Sequence, residues 1–107
     1  MIEIVNFKDA SGRSPIEEWL SSLRDKIIKA RITSRLHQLE FGNMGDAKTV
    51  GEGVIELRIH AGPGYRIYLG RYGENWIILL CGGDKSSQEK DIARAKAYWS
   101  EWKQRQI

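Results

Sequence analysis

The stretch VIELRIHAGPGYRIYLGRYGENWIILLCGGDKSSQ, Val54–Gln88, decides the fold. Within it Ile55, Leu57 and Ile59 alternate with Glu56, Arg58 and His60. After Ala61-Gly-Pro-Gly64, the residues Tyr65, Ile67 and Leu69 alternate with Arg66 and Tyr68. A period of two predicts strands with one face turned to a core. Tyr72-Gly-Glu-Asn75 supplies the next turn, and Trp76–Cys81 is nearly all apolar, as expected of an interior strand covered on much of both faces. Three consecutive strands with short turns read as an antiparallel meander. The alternation also puts Arg58, His60, Arg66 and Tyr68 together on the side opposite the apolar residues, with Lys85 just past the last strand.

Working outward, Ile2–Phe7 reads as a short strand and Asp9–Arg13 has turn composition. Ser14-Pro15-Ile16-Glu17 combines a serine cap, a proline at the first helical position and a glutamate three residues after the cap, predicting a helix to about Ser22. A second helix is expected from about Arg24 to Phe41 on the stripe Ile28, Ile32, Leu36 and Leu39, ended by Gly42-Asn43. Thr49-Val50 is a candidate short strand. Gly82-Gly83 is expected to end the sheet, and Ser86-Ser87-Gln88-Glu89 to cap a final helix docked through Ile92, Ala95, Trp99 and Trp102. The predicted order is β-α-α-β-β-β-α. It describes one α+β domain over residues 1–107, a curved, mainly antiparallel sheet with an N-terminal helix pair and a C-terminal helix, the helices mainly on one face.

Composition narrows the function classes. Charged residues at 29% and hydrophobic ones at 41% are globular proportions and argue against disorder. One cysteine permits no internal disulfide and suits a reducing compartment. The start of the chain lacks the basic and apolar regions of a signal peptide, and no apolar run approaches membrane-spanning length, so a soluble cytoplasmic protein is expected, with no membrane partner. Residues 1–47 hold seven Lys/Arg and seven Asp/Glu, whereas residues 48–107 hold ten and seven, so the second part carries the whole net charge of +3. That asymmetry suits an anionic partner.

Several chemistries are disfavoured. His37 and His60 lie in different elements and no metal-ligand spacing is present, so no metal or other cofactor is expected. Cys81 at the end of an apolar strand reads as a buried thiol. Gly82–Ser86 is too short to cradle a nucleotide phosphate, and serine-hydrolase partners are missing. The Trp99/Trp102 pair reads as helix–core packing. Tyr65 with Ile67, and Trp76 with Ile78, are expected on the core side.

A polyanion suits the remaining groups. RNA is cut without a metal when its 2′-hydroxyl attacks the adjacent phosphate, which needs a base, a proton for the 5′-oxygen and donors around the phosphorane. Arg66 and Arg58 offer forked donors from neighbouring strands, and Lys85 is within reach of the same face. His60 and Tyr68 are the candidate proton-transfer groups. An imidazole titrates nearer neutrality than a phenol. Arg94 and Lys96 read as a solvated helix face that could extend an RNA footprint, and Asp84 as a turn cap or a partner for Lys85.

These residues carry a family resemblance. Glu56-Leu57-Arg58, Gly62-Pro63-Gly64-Tyr65-Arg66-Ile67-Tyr68, Leu79–Gln88 and Lys90-Asp91-Ile92, with Phe7 and the Pro15/Trp19 helix start, resemble the RelE/HigB-like toxins of toxin–antitoxin modules. The nearer likeness is to their phage-derived branch of addiction-module killer proteins, over about residues 2–102. The resemblance implies a RelE-like fold and a metal-independent endoribonuclease that cleaves mRNA, commonly on the ribosome. It implies a cognate helix-turn-helix antitoxin as partner, with operator DNA contacted only through the antitoxin complex. By motif position it makes Arg66 the central phosphate-binding arginine, Lys85 the post-strand cation and Arg58 the earlier basic strand position. Related toxins often place a catalytic tyrosine or histidine near the C-terminus. Here Tyr98 lies within the final helix and the tail Lys103–Ile107 has neither residue, so the base stays open between His60, Tyr68 and Lys85. A ParE-like gyrase-inhibiting toxin and a non-enzymatic nucleic-acid-binding regulatory module are the competing readings, beside a basic face that serves solubility alone.

Overall fold

A computed structural model describes residues 1–106. The strands are β1 (Glu3–Asn6), β2 (Ala47–Gly51), β3 (Val54–Ile59), β4 (Tyr65–Tyr72) and β5 (Trp76–Asp84); the helices are α1 (Pro15–Ser22), α2 (Lys26–Leu39) and α3 (Gln88–Arg105), the last preceded by a 3-10 turn at Lys85–Ser87. The sheet order is β1-β5-β4-β3-β2. Strands β2 to β5 pair antiparallel, and β1 adds to the edge of β5 in parallel. The expected α+β domain with a helix pair before the sheet and one helix after it is what forms.

Local signals explain the helix ends. Ser14 Oγ accepts from the Glu17 amide at 3.3 Å, with Pro15 opening α1. Asp25 caps α2 by accepting from the amides of Ile27 and Ile28. Gly42, at φ +81°, lets the chain reverse after α2, its amide donating to the Leu39 carbonyl.

One expectation is corrected: the helices do not share one face. Ile16, Ile28, Ile32 and Leu39 of α1 and α2 pack on Leu57, Ile59, Ile67, Leu69, Ile77 and Leu79. Ala95, Trp99 and Trp102 of α3 pack on the reverse face, with Val54, Tyr68, Ile78, Leu80, Cys81 and Phe7. The apolar character of β5 follows from this, since it is interior and covered from both sides. The side opposite the first core is therefore half occupied by a second core. On that side the sheet stays open where β3, β4 and β5 run out beyond the start of α3.

The glycine pair does not end the sheet either. Gly82 and Gly83 continue β5 in extended form because each face must admit a neighbour. A Cβ on Gly82 would lie 2.3 Å from the Trp19 ring of α1, and one on Gly83 would lie 1.9 Å from Asp91 Oδ2 of α3. An irregularity in the β4–β5 register, where Tyr68 pairs Cys81 but Leu69 pairs Leu79, leaves Leu80 as an extra residue. Leu80 and Cys81 consequently both face α3. Trp76, expected in the core beside Ile78, is 41% exposed at the start of β5. Asp84 caps the 3-10 turn, one of the two roles expected of it, accepting from the Ser86 amide at 2.8 Å, while Ser87 stands at the cap position of α3 without a capping hydrogen bond.

Candidate functional site

Register builds the site. Across β3 and β4, Glu56 faces Tyr68 and Arg58 faces Arg66, and across β4 and β5 Arg66 faces Gly83. Four polar side chains thus rise on one face at successive alternate positions. Gly83 contributes no side chain, so the first turn of α3 closes down beside them.

Glu56 is the pivot. Its residue is 0% exposed, which is tolerable for a carboxylate only when it is paired and hydrogen-bonded. Arg58 Nε donates to Oε1 at 3.1 Å, while Tyr68 Oη donates to Oε2 at 3.1 Å and Gln88 Nε2 donates to it at 2.9 Å. Arg66 Nε lies 3.7 Å from Oε1 and is buried without a hydrogen-bond partner. Burial pushes the Glu56 carboxyl up, but the bonds from Gln88, Arg58 and Tyr68 and the charge of Arg66 outweigh it and hold the group below its ordinary value. Glu56 is therefore a fixed anion beneath two arginines. The Nε sides of both point down towards it, which leaves the guanidinium ends to face outward.

Those ends line a groove. Arg58, His60, Arg66 and Lys85 surround an open depression of about 450 Å³ together with the Ala61–Gly64 turn. Gly62 and Gly64 have φ of +54° and +85°, backbone that a side chain would strain, and the Lys85 amide donates to the Gly64 carbonyl at 3.1 Å. The turn and the end of β5 are thereby tied together, which sets Lys85 opposite the arginines. Two arginines held over one buried carboxylate, with Lys85 across the groove, suit an anion with several acceptor oxygens.

His60 stands at the rim, its side chain 76% exposed and its Nε2 donating to Asp46 Oδ2. That hydrogen bond is the leading cause holding the Asp46 carboxyl below its usual range. With Nε2–H held by Asp46, the free ring nitrogen is Nδ1. The backbone here is anchored by α2, since Arg35 donates to the carbonyls of Arg58 at 2.5 Å, Met44 at 2.8 Å and Asp46 at 3.3 Å.

The structure thus brings Arg58, His60, Arg66 and Lys85 of the sequence-derived set together around the groove, puts Tyr68 beneath them on Glu56, and sets Arg94 and Lys96 elsewhere. Tyr68, expected on open sheet, is 0% exposed beneath α3, and burial followed by the Glu56 charge raises its phenol far above the ordinary value. A phenol held protonated in this way is a structural donor and no base near neutral pH. Arg94 binds Asp91 at 3.3 Å and lies over the Tyr98 ring. Lys96 pairs with Glu52 at 3.5 Å at the β2–β3 turn, the opposite end of β3 from the groove. Cys81 is buried and its thiol is pushed up to about 12 by that burial. His37 is exposed beside Glu40.

Three further residues matter that sequence reasoning did not single out: Glu56, Gln88 and Asp46. Glu56 carried a legible signal, because an acid flanked by apolar residues on a strand bearing two neighbouring cations is placed to pair with them. Gln88 stood in the Leu79–Gln88 stretch that carries the resemblance, but no periodicity ties it or Asp46 to the site, since each reaches it from another element, Asp46 across 14 positions and Gln88 across 32.

Residues 18–100 match the family model described as phage derived protein Gp49-like (DUF891), a range that holds every groove residue and Glu56. An uncharacterized protein of Haemophilus influenzae is 52% identical over 80 residues, covering 75% of this chain and 81% of that protein. With more than half of its length matched, the chain belongs to the phage-derived Gp49-like family (DUF891).

Proposed function

We propose that the groove binds the scissile phosphate of RNA and that the protein is a metal-independent endoribonuclease, the mRNA-cleaving toxin of a RelE/HigB-like toxin–antitoxin module. One observation carries this reading: Arg58 and Arg66, oriented from below by the buried Glu56, converge with Lys85 on a groove that has an imidazole at its rim. A basic face that served solubility alone would not need a buried carboxylate to aim its cations. The sequence resemblance supports this reading and implies a helix-turn-helix antitoxin as partner and mRNA on the ribosome as substrate.

In this mechanism Arg58 and Arg66 hold the non-bridging oxygens and become more effective as charge builds on the phosphorane. His60 Nδ1 takes the proton of the 2′-hydroxyl, with Asp46 fixing the ring through Nε2. The 2′-oxygen bonds to phosphorus and the bond to the 5′-oxygen breaks. The leaving oxygen takes its proton from the Lys85 ammonium, giving a 2′,3′-cyclic phosphate and a free 5′-hydroxyl.

The test is to add the purified protein to a translating extract and map new mRNA 5′ ends, with Arg66→Ala and Lys85→Ala proteins as controls. Cuts that require ribosomes and vanish in both variants are the expected result. Arg66→Ala should lose far more activity than stability, because Glu56 keeps Arg58, Tyr68 and Gln88. Intact mRNA with damage to DNA gyrase would replace this reading with a ParE-like one. RNA binding without cleavage would replace it with a regulatory binding module.

A further inference from the structure

His60 borders a second depression on the side away from the phosphate groove. Arg31, Ser34 and Arg35 of α2, with Ile59 and His60, line a pocket of about 270 Å³ whose surface is mainly carbon. The floor is Ile59, 4% exposed, and the walls are one-turn neighbours on α2. Between Asp25 and Glu40, α2 carries Lys26, Lys29, Arg31 and Arg35 and no carboxylate.

The two arginines differ in what they have to offer. Arg35 is engaged with three backbone carbonyls and forms a fixed wall. Arg31 is exposed and donates one NH1 hydrogen to the His60 carbonyl at 3.2 Å, which leaves the Nε and NH2 side of its fork for another acceptor. A phosphate is better served by the neighbouring groove. An apolar floor between a planar guanidinium and an imidazole suits a flat aromatic ring, which stacks on both kinds of group.

We propose that this pocket receives a nucleobase of the RNA strand whose phosphate lies in the adjoining groove, with His60 as the wall common to both. The inference rests on the RNA-phosphate reading and adds a base subsite to it. Its charged hydrogen-bonding group, the Arg31 fork, can only donate, the Ser34 hydroxyl can do so too, and the Asp46 carboxylate is held by His60. The pocket therefore favours guanine and uracil, which present a carbonyl oxygen at O6 and O4, over adenine and cytosine, which carry an amino group at the same place.

The experiment uses short, uncleavable 2′-O-methyl oligonucleotides on a cytosine background. A single guanine, uracil, adenine or abasic position is moved along the strand, and binding is read by fluorescence anisotropy. At one position guanine and uracil should bind about tenfold tighter than an abasic site. Ser34→Ala and Arg31→Gln should each shrink that difference while keeping the wild-type melting temperature. Arg66→Ala should weaken every oligonucleotide alike. If the abasic strand binds as well as guanine at all positions while Arg66 still matters, the base pocket is wrong and the phosphate site stands. If no oligonucleotide binds in an Arg66-dependent way, the phosphate reading falls and the pocket with it.

Discussion

Tyr68 donates its hydroxyl hydrogen to Glu56 Oε2 at 3.1 Å, directly across the β3–β4 pair and wholly out of solvent. That bond links the two halves of one sheet face. Below it lies the α3 core, and beyond it Arg58 and Arg66 open onto the groove. The tyrosine that sequence alternation offered as a catalyst is thus a support for the carboxylate that aims the arginines.

Replacing Tyr68 by phenylalanine tests that division of labour. The ring stays in the core, while a hydrogen bond to a buried charge is lost, which should cost about 2 kcal/mol of stability by urea denaturation. Cleavage by the folded variant should stay within a few-fold of wild type. A loss of several orders of magnitude in folded protein would restore Tyr68 as a reacting group.

Glu56 should leave a mark on acid stability. Its folded carboxyl lies below the ordinary value of 4.5, so its contribution is complete above that value and disappears as pH falls through the lower folded one. Urea midpoints from neutral pH down to about 3 should therefore decline less steeply in Glu56→Gln than in wild type. At neutral pH the variant should be the less stable of the two by about 3 kcal/mol, since Arg58 and Arg66 lose their buried counter-ion. Parallel acid limbs in the two proteins would show that the carboxylate is not held this way.

Cys81 should be inert while the protein is folded. With its thiol pushed up to about 12 and its side chain buried, almost no thiolate exists near neutral pH. A disulfide reagent should label it only as fast as the chain opens, and labelling should speed up in urea. Prompt labelling of native protein would place the thiol at the surface.

Much of this was legible because it is local. Alternation fixed β3 and β4, Ser14-Pro15 marked the start of α1, and the apolar run of β5 announced an interior strand. Arg58, His60, Arg66 and Lys85 could be grouped because strand register depends only on short turns. What was hidden depends on docking. Nothing in the period of α3 says which sheet face it covers, so Tyr68 read as open and Gly82-Gly83 read as a terminus. Asp46 and Gln88 enter through contacts between elements far apart in sequence, which no periodicity reports.

Two of the glycines facing α3, Gly83 and Gly70, give a paired test of how its docking serves the groove. A Cβ on Gly83 would meet Asp91 Oδ2 at 1.9 Å and Ser87 Oγ at 2.9 Å, and one on Gly70 would meet the Trp99 ring at 2.5 Å. Asp91 cannot swing away cheaply, because it is 3% exposed and accepts from Ser87 at 2.6 Å and from Arg94 at 3.3 Å. Alanine at either position should therefore shift α3 and cost about 1–3 kcal/mol. The consequences for function should differ. Displacing the first turn of α3 carries Gln88 away from Glu56 and loosens the support under Arg58 and Arg66. Displacing the helix at Trp99 leaves that end in place. RNA affinity, measured on folded protein below its melting temperature, should fall in Gly83→Ala and hold in Gly70→Ala. Equal affinities would mean that Gln88 contributes nothing to the aim of the arginines.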